Sequence, residues 1–351
     1  MVDYLIMIAI LIFLAFDLLF KVKRKETTTH FFDLDNTIAL RGFWCIVVVL
    51  VHIPLLYQNR IQDMIGSFGY IGITFFFMAS GYGLTLKNNK QPESIKGFWR
   101  QRLPKLLITG WVISIASKAI YVVVLKEKCS LISFFHIHGW IKWLIVCYFF
   151  FWISHRIKYT SKRKVLRRSI CTSLVIIFSI VTYVLKNKGI IDQTIWPTEC
   201  YGFIWGMLLC DYREVFVKLF NKKWARKIIG VMVIAVLLGV SYLKLKSVVF
   251  LGDYCLKIVL GLAITVLILV SNIRLSFGNT VSMFLGRISF EIYLVHGAVI
   301  HILQGLLPKL SSGVFILLTL IITVSIAFVL HILATRIVKL FYKIPIMNKT
   351  Y

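Results

Sequence analysis

An all-α, polytopic membrane bundle of about eleven spanning helices is the fold class this sequence predicts, on three observations. Hydrophobic residues make up 59% of the 351 positions and charged residues only 16%. The mean hydropathy is +0.85, more apolar surface than one soluble core can hide, so the chain must use lipid. Finally, the 41 lysines and arginines against 14 acidic residues collect in alternate loops. That pattern makes the +27 charge a topology signal and argues against a nucleic-acid partner.

The apolar segments fall at about 4–20, 38–57, 68–86, 104–125, 139–155, 169–185, 197–210, 228–243, 254–272, 283–307 and 313–336. Most approach the roughly 20 residues that cross a hydrocarbon core of about 30 Å. The first lacks a small-residue cleavage site and is followed by KVKRK, so residues 1–31 read as a retained anchor with a basic loop. Residues 32–340 then form one membrane domain and 341–351 a tail. The segment at 197–210 is short, and the one at 283–307 carries Arg287 and Glu291.

The loops Lys21–Lys25, Lys87–Lys105, Arg156–Arg168 and Arg213–Lys227, with the tail Arg336–Lys349, are densely basic. Placing them in the cytoplasm puts the N-terminus outside and the C-terminus inside a plasma membrane. Such loops also attract anionic membrane lipids. One of them, KGFWRQRLPK at Lys96–Lys105, sets Arg100, Arg102 and Lys105 beside Phe98 and Trp99. Interfacial anchoring explains such a cluster; so does a grip on a phosphorylated cofactor through paired hydrogen bonds and ring stacking.

Ionisable groups inside a membrane are costly and mark function. The second segment, IALRGFWCIVVVLVHIPLLY, carries Arg41 and His52 eleven positions apart. Eleven residues are three helical turns plus about 20°, so both side chains share a face about 16 Å apart along the axis. His301 and His331 lie in apolar helices, where a neighbouring hydrogen-bond partner is the simple reading. His30 and His155 fall at helix edges, and His136 and His138 in an outer loop. His296 ends GRISFEIYLVH, sharing its helix with Arg287, Ser289 and Glu291. Trp140, Trp143 and Tyr148 read as packing and interface aromatics. The seven cysteines show no metal-ligand spacing, and no metal is expected. Phosphate-loop, nucleophile-elbow and zinc signatures are absent.

The Arg41/His52 pair, FFFMASGYGL at Phe75–Leu84, the basic FWRQRLPKLL and the GRISFEIYLVH helix occur in an order that resembles the acyltransferase family 3 membrane proteins. In that family an arginine and a histidine in this R-x10-H arrangement are a hallmark. Two departures stand out: Tyr82 replaces the usual Phe after Ser80–Gly81, and Pro104 interrupts the basic stretch. The resemblance implies a ten-helix core, with the first helix an addition. It further implies an O-acetyltransferase that moves an acyl group from acetyl-CoA, a co-substrate with no tightly bound cofactor, to a hydroxyl of an extracytoplasmic or lipid-linked glycan.

On that implication His52 and Arg41 are catalytic, while Arg100, Arg102, Lys105, Ser80 and Gly81 hold the acyl-CoA. Ser80 and Gly81 would leave room for its narrow arm, although close helix packing accounts for the small residues equally well. Arg287, Ser289, Glu291 and His296 would be supporting polar groups. His52 can serve as general base or as an acyl carrier, and the sequence admits both. The alternative from another class is a transporter or flippase for a lipid-linked sugar, with Arg41 and His52 lining its path.

Overall fold

The computed structural model describes residues 2–28, 31–157, 161–191 and 197–343. His30 and the tail after 343 lie outside them. Eleven helices carry the architecture: α1 (Val2–Leu19), α2 (Leu34–Val51), α3 (Gly69–Lys90), α4 (Phe98–Val124), α5 (Gly139–His155), α6 (Ser161–Asn187), α7 (Tyr201–Asp211), α8 (Trp224–Leu245), α9 (Lys257–Arg274), α10 (Ser289–Leu306) and α11 (Ser312–Lys343). Short helices at Arg60–Gly66, Leu131–Phe134, Arg213–Asn221 and Thr280–Arg287 connect or flank them. Two-residue strands pair Lys23 with Ser276 and Arg24 with Leu275, tying the loop after α1 to the loop after α9.

Nine helical runs among the described residues are long and apolar enough to cross a membrane. The two segments that fall short are α5, at 17 residues, and α7, at 11. The chain is thus an all-α, multi-pass membrane protein. Peripheral helices show lipid an apolar face, as α8 does with Ile229, Val233, Val236, Leu237 and Val240. By contrast α2 is buried nearly all round, packed between α3, α10, α1 and the Thr280–Arg287 helix.

The short α7 keeps its place by backbone contact. A Cβ on Gly202 would stand 2.1 Å from the Thr74 carbonyl oxygen, one on Gly206 2.1 Å from that of Met78, and one on Gly81 2.2 Å from that of Phe203. Only glycine admits such an approach, so α3 and α7 pack backbone against backbone.

Three boundaries depart from the sequence expectation. The apolar run 38–57 stops being α-helical at Val51, because Pro54 has no N–H to donate and drives Ile53 out of the helical region. His52 therefore caps α2 instead of lying within it. The basic stretch at Lys96–Lys105 is helical from Phe98 and not a loop, with Pro104 accommodated in α4. The run 283–307 breaks at Ile288 into the Thr280–Arg287 helix and α10.

The first helix docks on the last. Ser311 Oγ and the Gly313 amide each donate to Asp3 Oδ1 at 2.7 Å, which satisfies orphan donors at the start of α11.

Candidate functional site

The site is built on α2. Its N-terminus is fixed where the Asn36 amide donates to Asp33 Oδ1 at 3.0 Å and where Asn36 Oδ1 accepts from the Phe277 amide at 2.7 Å. From that anchor Leu34, Thr37 and Arg41 form a stripe at helical spacing that lines a cavity of about 280 Å³. Ser80 of α3, Arg102 of α4, Trp140 and Tyr148 of α5, and Ser289 and Tyr293 of α10 close it. Arg41 and Arg102 thus meet in one cavity. The Arg41 Nε and the Trp140 Nε1 are buried there without a hydrogen-bond partner among the described residues, two donors with nothing to donate to. Buried donors left unmade cost about 1–3 kcal/mol each, so both groups favour a hydrogen-bond acceptor in the cavity.

One arm of the predicted basic cluster turns inward and the others do not. Successive helical residues rotate by about 100°, so Arg102 faces the cavity while Arg100 and Lys105 project to solvent. Ser80 lines the cavity, whereas Gly81 faces α7. Arg287 is exposed. Glu291 accepts from His331 Nδ1 at 3.0 Å and belongs to the contact between α10 and α11.

At the other end of α2, His52 opens into a second cavity of about 320 Å³. Gln62, Tyr70, Glu199, Tyr242, Lys246 and Lys257 line it with His52. His52 Nδ1 lies 2.9 Å from the Val48 carbonyl oxygen. A carbonyl only accepts, so Nδ1 carries the proton and Nε2 keeps its lone pair. The partial negative charge at the α2 C-terminus, together with that carbonyl, stabilises an imidazolium formed when Nε2 takes a proton.

His296 joins the two cavities. Its ring is buried, with the centroid 4.7 Å from that of His52 and 5.6 Å from that of Tyr293, which lines the first cavity. The sequence of contacts is Arg41 cavity, Tyr293, His296, His52, second cavity. Among the described residues no group of three or more His, Cys, Asp and Glu side chains is disposed to hold a metal.

Sequence reasoning missed most of the second cavity. Glu199 is fully buried, accepting from Lys257 Nζ at 2.8 Å and from Thr198 Oγ1 at 2.9 Å, while Lys257 Nζ sits 4.8 Å over the Tyr70 ring. An isolated glutamate inside the short apolar segment 197–210 was the available signal. Trp140 and Tyr148, read as packing aromatics, line the first cavity.

A family model described as an acyltransferase domain matches residues 33–332. No curated protein and no solved structure matches the chain.

Proposed function

The chain belongs to acyltransferase family 3, and from that premise we propose that it transfers an acetyl group from cytoplasmic acetyl-CoA to a hydroxyl of a cell-surface glycan. The observation that carries this reading is the position of His52, with a free Nε2 at one cavity and a chain of rings leading to another that holds two guanidinium groups. The basic loops, assigned to the cytoplasm, set the Arg41 cavity toward the inner face and the His52 cavity toward the outer face.

In this reading Arg41 and Arg102 grip phosphate oxygens of the donor, the arrangement for which a guanidinium fork is suited. Tyr148, Trp140 and Tyr293 wall the path along which a thin thioester arm extends toward His296 and His52. The acceptor hydroxyl enters from the second cavity, and His52 Nε2 removes its proton as the oxygen attacks the thioester carbonyl. The thiolate leaves, and the imidazolium returns the proton to it. His52 is assigned the role of general base because the helix C-terminus and Val48 carbonyl favour the protonated ring that base catalysis generates.

The test uses membranes carrying wild type or His52→Ala, given radiolabelled acetyl-CoA and the host's surface glycan. Ester label should fall by about 10²–10⁴-fold without His52, the range for loss of a general base. Equal labelling overturns the assignment. Loss of glycan exposure, with esters intact on whatever glycan reaches the surface, supports transport instead.

A further inference from the structure

Two polar atoms in the second cavity have no use in the fold. Gln62 is 1% exposed and its Nε2 donates to the Leu50 carbonyl, but its Oε1 is buried without a hydrogen-bond partner among the described residues. Tyr70 is 8% exposed, and its hydroxyl is likewise buried without a partner among the described residues. Both side chains line the cavity that His52 opens into. An orphan acceptor and an orphan hydroxyl, each already desolvated, match a ligand that both donates and accepts at neighbouring positions.

The charges of the cavity are balanced. Lys246 and Lys257 stand against Asp63 and Glu199. The half-buried Lys257 and the buried Glu199 are committed to each other at 2.8 Å, and Lys246 Nζ donates to Ser67 Oγ at 3.1 Å. An anionic ligand would meet the Glu199 carboxylate while the nearest cation is already engaged, whereas an uncharged polyol meets only hydrogen-bonding partners.

We propose that this cavity is the acceptor subsite and that it selects an uncharged pyranose, with Gln62 Oε1 and the Tyr70 hydroxyl bonding hydroxyls beside the one that His52 deprotonates. The assignment rests on the acyl-transfer reading of His52. Gln62 and Tyr70 touch the acceptor and not the thioester, so their loss acts on acceptor binding alone.

The experiment uses the full chain in membranes, radiolabelled acetyl-CoA as donor, and four acceptor probes: methyl glucoside, methyl N-acetylglucosaminide, methyl glucuronide and glucose 6-phosphate. Label is expected on the neutral probes in preference to the two anionic ones. In Tyr70→Phe and Gln62→Met the KM for the better neutral probe should rise about tenfold, with the KM for acetyl-CoA unchanged. Tyr70→Phe removes one oxygen and keeps the ring beneath Lys257, and the acetyl-CoA KM reports an intact fold in both variants. Preference for an anionic probe, or a neutral-probe KM unmoved in Tyr70→Phe, overturns the subsite while leaving acyl transfer standing. Label that reaches no sugar, but does reach lipid or protein through His52, overturns the glycan reading and the subsite with it.

Discussion

The imidazoles of His52 and His296, one capping the second helix and the other midway along the tenth, meet with ring centroids 4.7 Å apart and planes inclined at 59°. His296 is 6% exposed, and its Nδ1 faces the Ile292 carbonyl at 3.3 Å, so its ring is held from its own helix. The contact restrains the tilt of the His52 ring, which among the described residues is otherwise held by the hydrogen bond from Nδ1 to the Val48 carbonyl. A reacting nitrogen displaced by about 1 Å can cost about 100-fold in rate. His296→Ala is therefore expected to lower kcat by about 10-fold to 100-fold with both KM values little changed. His296→Phe, which keeps a ring against His52, should recover part of that loss. Steady-state kinetics on the two variants check this, and an unchanged kcat in His296→Ala removes the positioning role.

The two guanidinium groups of the first cavity make different predictions from the exposed ones. Arg41 brings to the lining a buried Nε that has no hydrogen-bond partner among the described residues. Replacing it by lysine keeps the charge and loses the planar fork, so the acetyl-CoA KM should rise by about tenfold to a hundredfold, the scale of a charge-assisted hydrogen bond. Arg102→Ala should act in the same direction. Arg100→Ala, at an exposed position of the same helix, should change the KM by less than about twofold. Steady-state kinetics with acetyl-CoA as the varied substrate measures all three, and equal effects from Arg41 and Arg100 would mean that the cavity does not hold the donor.

Much of this fold was legible because a membrane imposes a one-dimensional rule: apolar runs of fixed length between basic and less basic loops. All eleven expected segments contain a helix. Boundaries were missed where a local constraint interrupts an apolar run, at Pro54 after His52 and at Ile288. Of the residues at the two cavities and the ring contact between them, Arg41, His52, Arg102, Ser80, Ser289 and His296 were singled out as candidates by a cost or a motif. Gln62, Tyr70, Glu199 and Lys257 were not. They come from four separate stretches that only tertiary packing assembles, and none has a periodic pattern to betray it. Gly81 carried two readings, and packing chose the one in which its missing Cβ admits the Phe203 carbonyl.

Outside the membrane helices, His138 sets an acid limit on stability. Burial, reinforced by His136 and Lys142, pulls its imidazole from the ordinary 6.5 down to about 4. The unfolded chain thus binds a proton below pH 6.5 that the folded protein refuses until about pH 4. The sign follows: nothing is lost above pH 6.5, and stability falls progressively as pH drops toward 4. Thermal unfolding of detergent-solubilised protein across that window should show this decline. His138→Gln, which has no proton to gain, should flatten it. An equally steep decline in the variant would assign the acid sensitivity elsewhere.

The Glu199–Lys257 pair supplies the sharpest test of how the second cavity is held. Glu199 is fully buried, accepting from both Lys257 and Thr198, while the Lys257 side chain is 20% exposed. Lys257→Met leaves a buried carboxylate without its cation, a loss of about 3–5 kcal/mol in comparable buried pairs. Glu199→Gln should cost less, because the stranded ammonium keeps some access to water and the Tyr70 face. The double variant removes both charges at similar volume and should recover most of the single-variant loss, since a buried pair and its neutral replacement are often near equal in stability. Thermal unfolding of the four proteins gives the coupling directly. Additive losses would show that the two groups stabilise the cavity independently, and that the balanced charge of the site comes from proximity alone.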